Sequence, residues 1–430
     1  MTQILTRAGR RSRFLLDWSA DYCLERPDRL LTALTGQAAT FARAYHGTMI
    51  DAAGRLNLAA HSEPRFEWVD LDGDGIRETP GLLLEGSRTN LVLQSENFGT
   101  TWAAVGTPTR TAAAKKLGIL TLDLIGDNDA AALEGYTQTV TFTGNAAKAV
   151  SCYLAAGTST STVVRLRDTT AGADRLLAVI TWSAGVPIVA MTTGTNLGGT
   201  NGELLSDGVY RFRFQTTTAT AANVNSVQLY PATTSGLAVA NTGTVYAGGV
   251  QAEDALFSSS YVSTTTAPLT RTADNFSLVC NVVPRALTLY GKGRSLQGSN
   301  FDGSFLAALG TAGGTRFTVH RTSGAASLTG THSSAAGTVT SAAAATVAIN
   351  DLLEWRAVLA ADGSIQQFAS VNGAAETSGS ASAANALDAA WAAQTLHLNQ
   401  DPTPANQGFL VLFALRLAVG AEPIAVMRAA

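Results

Sequence analysis

The sequence predicts an all-β protein: two antiparallel β-sandwiches behind a small hairpin-rich N-terminal region. Three observations lead there. From about residue 91 onward, short segments of period-two alternation follow one another, separated by turn residues at the spacing of roughly 8–12 residues expected of a sandwich. The composition is rich in Ala, Thr, Ser and Gly, with only 14% charged residues, against about 25% in ordinary soluble chains. No helical heptads occur, so no coiled coil is expected to assemble the chain.

At 430 residues the chain has room for roughly two or three cores. Residues 1–80 read as an N-terminal attachment region, 81–275 as a first sandwich and 276–430 as a second. In the first region, ARAYHGTMIDAAGRLNLAA forms a hairpin around Asp51-Ala52-Ala53-Gly54, and RLLTALTGQAATFARAY is open to a brief helix. PRFEWVDLDGDGIRETPGLLLEG is a second hairpin with its tip at Asp72-Gly73-Asp74-Gly75. In the first sandwich, GVYRFRFQ places Tyr210, Phe212 and Phe214 on one face and Val209, Arg211, Arg213 and Gln215 on the other. The aromatic face is expected to be buried and the other polar. Residues 260–275, SYVSTTTAPLTRTADN, read as a Thr- and Ser-rich link to the second sandwich.

Several classes of function are set aside by composition. The net charge is −3 and the one basic cluster is Arg7, Arg10, Arg11 and Arg13, so the footprint of a nucleic-acid binder is missing. That cluster suits a solvated arm or a docking contact with a partner protein. No run of about 18 apolar residues is present, and no membrane insertion is expected. Cys23, Cys152 and Cys280 are odd in number and far apart; two lie in apolar strand contexts, as small buried hydrophobes do. Disulfides are therefore not expected, and assembly in a reducing cytoplasm fits.

The candidate sites are few. Asp70, Asp72 and Asp74 carry the DxDxDG spacing that can surround calcium, although Gly81 stands where an EF-hand needs its bidentate glutamate; a plain acidic hairpin tip is the alternative, and no other cofactor is indicated. The five histidines show no zinc-like grouping. Glu85, Glu96, Glu253 and Asp254 are the carboxylates that could hydrolyse glycosides in pairs. Because Glu85 and Glu96 lie beside Arg88, the simpler reading is a structural seam of Glu85, Arg88, Asn90 and Glu96, with no catalytic residue. For sugar stacking, Trp182 and Tyr230 stand next to turns and are the chosen rings, with packing as the alternative for each because so aromatic-poor a chain needs its rings in the cores, whereas Trp355 alternates with apolar neighbours and suits the core.

The run RFEWVDLDGDGIRETPGLLLEGSRTNLVLQSENFGTTW resembles a segment of structural proteins of tailed bacteriophages and related particles, matched at Gly81, Leu82, Leu83, Glu85, Arg88, Thr89, Asn90, Leu91, Ser95, Glu96, Phe98 and Trp102. In that family the segment opens a carbohydrate-binding-like jelly roll. VYAGGVQAEDALFSSSYVSTTTAPLTRTAD resembles the closing pattern and Asp207-Gly208-Val209-Tyr210-Arg211 an internal strand, with Val209 in place of the usual aromatic. LLEWRAVLAADGSIQQFASVNG is similar to a hairpin of concanavalin A and laminin-G sandwiches, through Trp355, Asp362, Gly363, Asn372 and Gly373. The resemblance implies a non-enzymatic virion component made in the host cytoplasm: a tail or head fibre or spike meeting host surface polysaccharide, in contact with other virion subunits. Such appendages are habitually oligomers, with a trimer favoured. A capsid decoration or cement protein, or a glycan depolymerase, is the alternative; a carboxylate pair clustered in a groove would favour the last.

Overall fold

The computed structural model describes residues 12–17, 39–71, 76–77, 79–237, 239–280, 286–296, 305–310, 315–321, 327–387, 394–398 and 409–419. Among them the protein is all-β, with one 3-10 turn at Ser206–Gly208 and no α-helix. Four large antiparallel sheets stack in pairs. The first pair encloses a core that includes Ile125, Cys152, Leu154, Leu166, Phe212 and Phe214. One sheet carries the strands Val209–Gln215, Ala149–Ala156, Gly243–Glu253, Leu120–Asp127 and Thr109–Leu117 side by side; the other runs from Val186–Thr193 through Ala173–Ser183, Ser161–Asp168, Asn225–Tyr230 and Gly135–Val140 to Ala103–Val105. Cys152 is a free thiol buried in this core, and burial raises its pKa far above the ordinary value.

The second pair gathers strands from both ends of the chain. Its first sheet runs Ile365–Val371, Leu352–Leu359, Leu287–Ser295, Phe409–Val419, Thr79–Glu85 and Arg65–Val69 in spatial order. The facing sheet begins with Ala39–Ala42 and Asn275–Cys280. Between them lies a core built on Trp355, Phe276, Leu289, Leu410 and Leu412.

This topology redraws the expected boundaries. The strand Thr79–Glu85 does not open the first sandwich; it pairs with Phe409–Val419 in the second, from Leu82–Leu412 to Glu85–Phe409. The division expected at 80/81 therefore falls inside a strand, and Arg65–Val69 and Ala39–Ala42 also belong to the second sandwich. The apolar run GLLLE is explained by burial on both faces. Leu82 and Leu84 enter the main core, while Leu83 joins Val69, Val411 and Phe413 on the opposite side. The chain thus starts in the second sandwich, builds the first, and returns.

The hairpin Gly47–Ile50/Leu56–Ala59 forms as expected, with Gly54 at φ +73° in its turn. It covers the outer face of the first sandwich, where Ile50 and Leu56 pack with Leu117, Leu120 and Tyr153. Ile119 N–H donates to Leu56 O at 2.9 Å. The approach is close enough that a Cβ on Gly118 would stand 2.0 Å from that oxygen, so only glycine fits there.

In the C-terminal hairpin, Trp355 is fully buried, in keeping with its apolar alternation. Gly363, at φ +77°, makes the turn, and Asp362 Oδ1 accepts from Ser364 N–H at 2.9 Å. Asn372 Oδ1 accepts from Leu352 N–H at 2.8 Å, closing the other end. The residues that carry the laminin-G-like motif here serve packing and turn geometry.

Candidate functional site

The two sandwiches meet at a buried cluster of charges. Arg65, at the start of its strand, is fully inaccessible to solvent. Its guanidinium lies 2.8 Å from Glu85, pairs with Asp274, and donates to Thr48 O at 3.0 Å and Ser260 Oγ at 2.6 Å. Arg271 approaches Glu85 at 3.3 Å and donates to Gly86 O at 3.1 Å. Arg43 reaches Asp274 at 3.0 Å and Ala60 O at 2.7 Å. Glu85 also accepts from Ser260 N–H at 2.7 Å and Ser260 Oγ at 2.6 Å. Burial alone would raise the Glu85 pKa, but Arg271, Arg65 and the Ser260 donors outweigh it and bring it to about 2. Charges so far from water persist only when paired and hydrogen-bonded, and here nearly every lone pair has a donor.

The seam residues expected from sequence are present, with different partners. Glu85 pairs with Arg65 and Arg271. Arg88 lies instead 3.6 Å from Glu253, with its guanidinium 5.0 Å from the Phe257 ring centroid. Asn90 is fully buried and acts as a backbone clasp, donating to Val250 O at 3.2 Å and Val262 O at 2.9 Å, and accepting from Val92 N–H and Ala252 N–H. Glu96 accepts from Thr121 at 3.0 Å and from the Tyr261 hydroxyl at 3.0 Å. The stretch expected to be a linker is built into the same contact: Ser259, Ser260, Tyr261 and Val262 are buried, and Leu269–Arg271 pairs with Arg88–Asn90.

Beside the seam opens a cleft of about 410 Å³. The second sandwich contributes Glu67, Asp70, Arg77 and Arg294 to its walls, and the first contributes Glu203, Arg211, Arg213 and Ser258. Arg77 crosses between them, donating to Trp68 O at 2.8 Å and to Glu203 Oε1 at 2.8 Å. Arg213 stands 3.4 Å from Glu203 Oε2. Burial pushes Glu203 up, but Arg213, Arg77 and Arg211 together hold it well below the usual carboxylate range. Glu67 accepts from Ile50 N–H at 2.8 Å; burial, reinforced by the charge of Glu203, raises its pKa to about 7. Burial lowers the Arg213 pKa, and the neighbouring Arg211 and Arg294 charges lower it further against the pull of Glu203.

The face of GVYRFRFQ expected to be polar is therefore a wall of this cleft, with Arg211 and Arg213 both more than nine-tenths buried. Their alternation with three aromatics, together with Asp70 and Glu85, was the trace of the cleft in the sequence. Glu67, Arg77, Glu203 and Arg294 carried no signal, because they are assembled from distant segments.

The rings chosen for sugar stacking are elsewhere and covered. Trp182 is 7% exposed and Tyr230 3%. Trp182 packs edge-on against Tyr210 and Phe212 and donates to Thr162 Oγ1 at 3.0 Å, while the Tyr230 hydroxyl donates to Gln228 at 3.2 Å. Neither offers a face to a pyranose: an aromatic-poor chain has drawn these rings into packed positions despite the adjoining turns.

Asp72 and Asp74 of the acidic loop lie outside the described residues, and Asp70 stands in the cleft wall. Among the described residues no three His, Cys, Asp or Glu side chains cluster as metal ligands, and no helix is long and apolar enough to cross a membrane. Of the carboxylates weighed for hydrolysis, Glu253 is buried on Ser259 N–H and Oγ, Asp254 takes Thr143 and Lys148, and Glu85 and Glu96 are engaged as described above.

No protein-family model and no curated protein matches the chain. Solved structures with a likeness to it include domains LG4-5 of the mouse laminin alpha1 chain, at 10% identity and a TM-score of 0.24, covering 80% of this chain and 92% of that one. The LG1-3 region of the laminin alpha2 chain matches at 10% identity and a TM-score of 0.23, covering 66% and 64%. At such values the likeness supports no conclusion about fold or ligand.

Proposed function

We propose that this chain is a non-enzymatic structural and binding protein of a tailed phage or phage-like particle, a fibre or spike component that meets host surface glycan. The observation that carries this reading is the place of the phage-like segment: residues 81–102 run from the second sandwich through Glu85 and Asn90 into the first, so the resemblance falls on the joint that holds the two together. A joint of buried ion pairs suits a part that bears load and presents a fixed surface. The trimeric state and contact with other virion subunits belong to the same proposal and rest on the family resemblance alone.

One observation favours a depolymerase as the second reading. Glu67 and Glu203 share a cleft, and their surroundings push their pKa values apart, as an acid and its partner carboxylate require. Against it, Arg77 and Arg213 already flank both oxygens of Glu203, which blunts it as a base or nucleophile.

The two readings separate when purified protein is incubated with host cells and their extracted polysaccharide, with bound protein and newly released reducing ends measured together. Binding without release is the expected result. Release of reducing ends that is lost in Glu67→Gln would replace this reading with the depolymerase. Absence of both would leave a particle-building decoration protein.

A further inference from the structure

Among the described residues the cleft carries more guanidinium than free carboxylate. With Glu85 committed to Arg65 and Arg271, the described residues of the wall include four arginines, Arg77, Arg211, Arg213 and Arg294, against three carboxyls, Glu67, Asp70 and Glu203. Two of these guanidiniums are sparsely bonded. Arg213 has the 3.4 Å approach to Glu203 as its ion pair, and Arg294 donates to Asp70 O at 3.1 Å. The Nε atoms of Arg211 and Arg213 and the hydroxyl of Ser258 are buried without a hydrogen-bond partner, on residues that are 6%, 9% and 7% exposed. Buried polar atoms are ordinarily satisfied, and a guanidinium presents its donors as a fork that fits an oxyanion. The cleft volume of about 410 Å³ lies within the range of small-ligand sites, about 300–1,000 Å³. Among the described residues no aromatic ring lines it, so these would hold a ligand by charge and hydrogen bonds rather than by stacking.

We propose that the cleft between the sandwiches is a binding site for a compact ligand bearing an oxyanion, which Arg213 and Arg294 hold with the Ser258 hydroxyl as a further donor. The carboxylate of an acidic sugar residue is the source consistent with glycan binding, and to that extent the inference rests on the proposed function; a free inorganic anion is the other source. Glu203 is the internal competitor. It occupies Arg77 and part of Arg213, and a ligand gains what Glu203 gives up.

The test is calorimetric titration of the full chain at low salt with glucuronate, glucose and inorganic phosphate. Glucuronate is expected to bind and glucose to fail. Arg213→Gln and Arg294→Gln should each weaken binding about tenfold, the scale of one lost charged hydrogen bond. Glu203→Gln should tighten it several-fold by releasing the two arginines, a gain that misfolding cannot produce. Phosphate binding with the same arginine dependence, in place of glucuronate, would support the oxyanion site and assign it to inorganic anion. Equal binding of glucose and glucuronate, or unchanged affinity in Arg213→Gln and Glu203→Gln alike, would overturn the proposal. If glucuronate and phosphate both fail while host polysaccharide still retains the protein, the cleft assignment falls and glycan binding stands; if all three fail, both fall.

Discussion

Replacing Arg65 with methionine should cost about 3–5 kcal/mol of stability, the loss expected when one partner of a buried ion pair is removed. The reasoning follows from what remains. Methionine keeps much of the side-chain volume but provides no donor, so Thr48 O loses its bond and Ser260 Oγ one of its contacts. Glu85 is left with Arg271 and Ser260, and Asp274 with Arg43 and the more distant Arg271, all out of reach of water. Arg65→Lys should recover part of the loss, because an ammonium keeps the charge without the planar fork. The contrasting control is Arg55→Ala. Arg55 also pairs with an acid, Asp51 at 3.0 Å, but its side chain is 58% exposed, and such a pair is worth only about 0–1 kcal/mol. Urea midpoints of the three variants check the ordering, which a surface-like electrostatic environment at Arg65 would abolish.

Acid should undo the same joint, and only in a defined window. The Glu85 pKa is lowered from 4.5 to about 2 in the folded protein. The folded state therefore binds fewer protons than the unfolded state between these values, and stability falls with falling pH. The contribution is complete above pH 4.5, lost progressively toward pH 2, and on the order of 3 kcal/mol in size. Glu67 works in the opposite direction. Its folded pKa is raised to about 7, so its contribution is full below pH 4.5 and declines as pH rises to 7. The groups bearing on Glu67 are Glu203, which raises its pKa, and Arg77 and Arg211, which lower it. Stability should thus climb as pH falls from 7 toward 4.5 and then drop steeply. Glu67→Gln should remove the climb and Glu85→Gln should shrink the drop, both read from urea midpoints across the pH range. A curve that stays flat from pH 5 to 2 would contradict the burial and pairing of Glu85.

The contrast between Glu85 and Arg88 shows what the sequence revealed and what it withheld. Strand alternation, the turns at Gly54 and Gly363, and Trp355 in a core were legible because each depends on residues close along the chain. Acid, base and amide side chains beside an apolar run suggest a seam at GLLLEGSRTN, but not that the segment passes from one sandwich to the other. The identity of the partners was not legible. Proximity in sequence suggested Arg88 for Glu85, whereas the fold supplies Arg65 and Arg271, and sequence alternation carries no information about which strands from distant segments become neighbours. For the same reason the sequence places residues 81–85 in the sandwich that follows them, although their strand pairs with Phe409–Val419. Trp182 and Tyr230 illustrate a further limit: a turn beside a ring does not expose it when the neighbouring sheet supplies Tyr210 and Phe212 to cover it.

The charge cluster should join the two sandwiches into one cooperative body. Large chains with separate cores ordinarily unfold in separate steps, so scanning calorimetry of the intact protein at neutral pH tests it directly. A single endotherm, with calorimetric and van't Hoff enthalpies in agreement, is the predicted result. Two resolved transitions, with their spacing unchanged in Arg65→Met, would show that the sandwiches unfold independently and that the seam does not couple them.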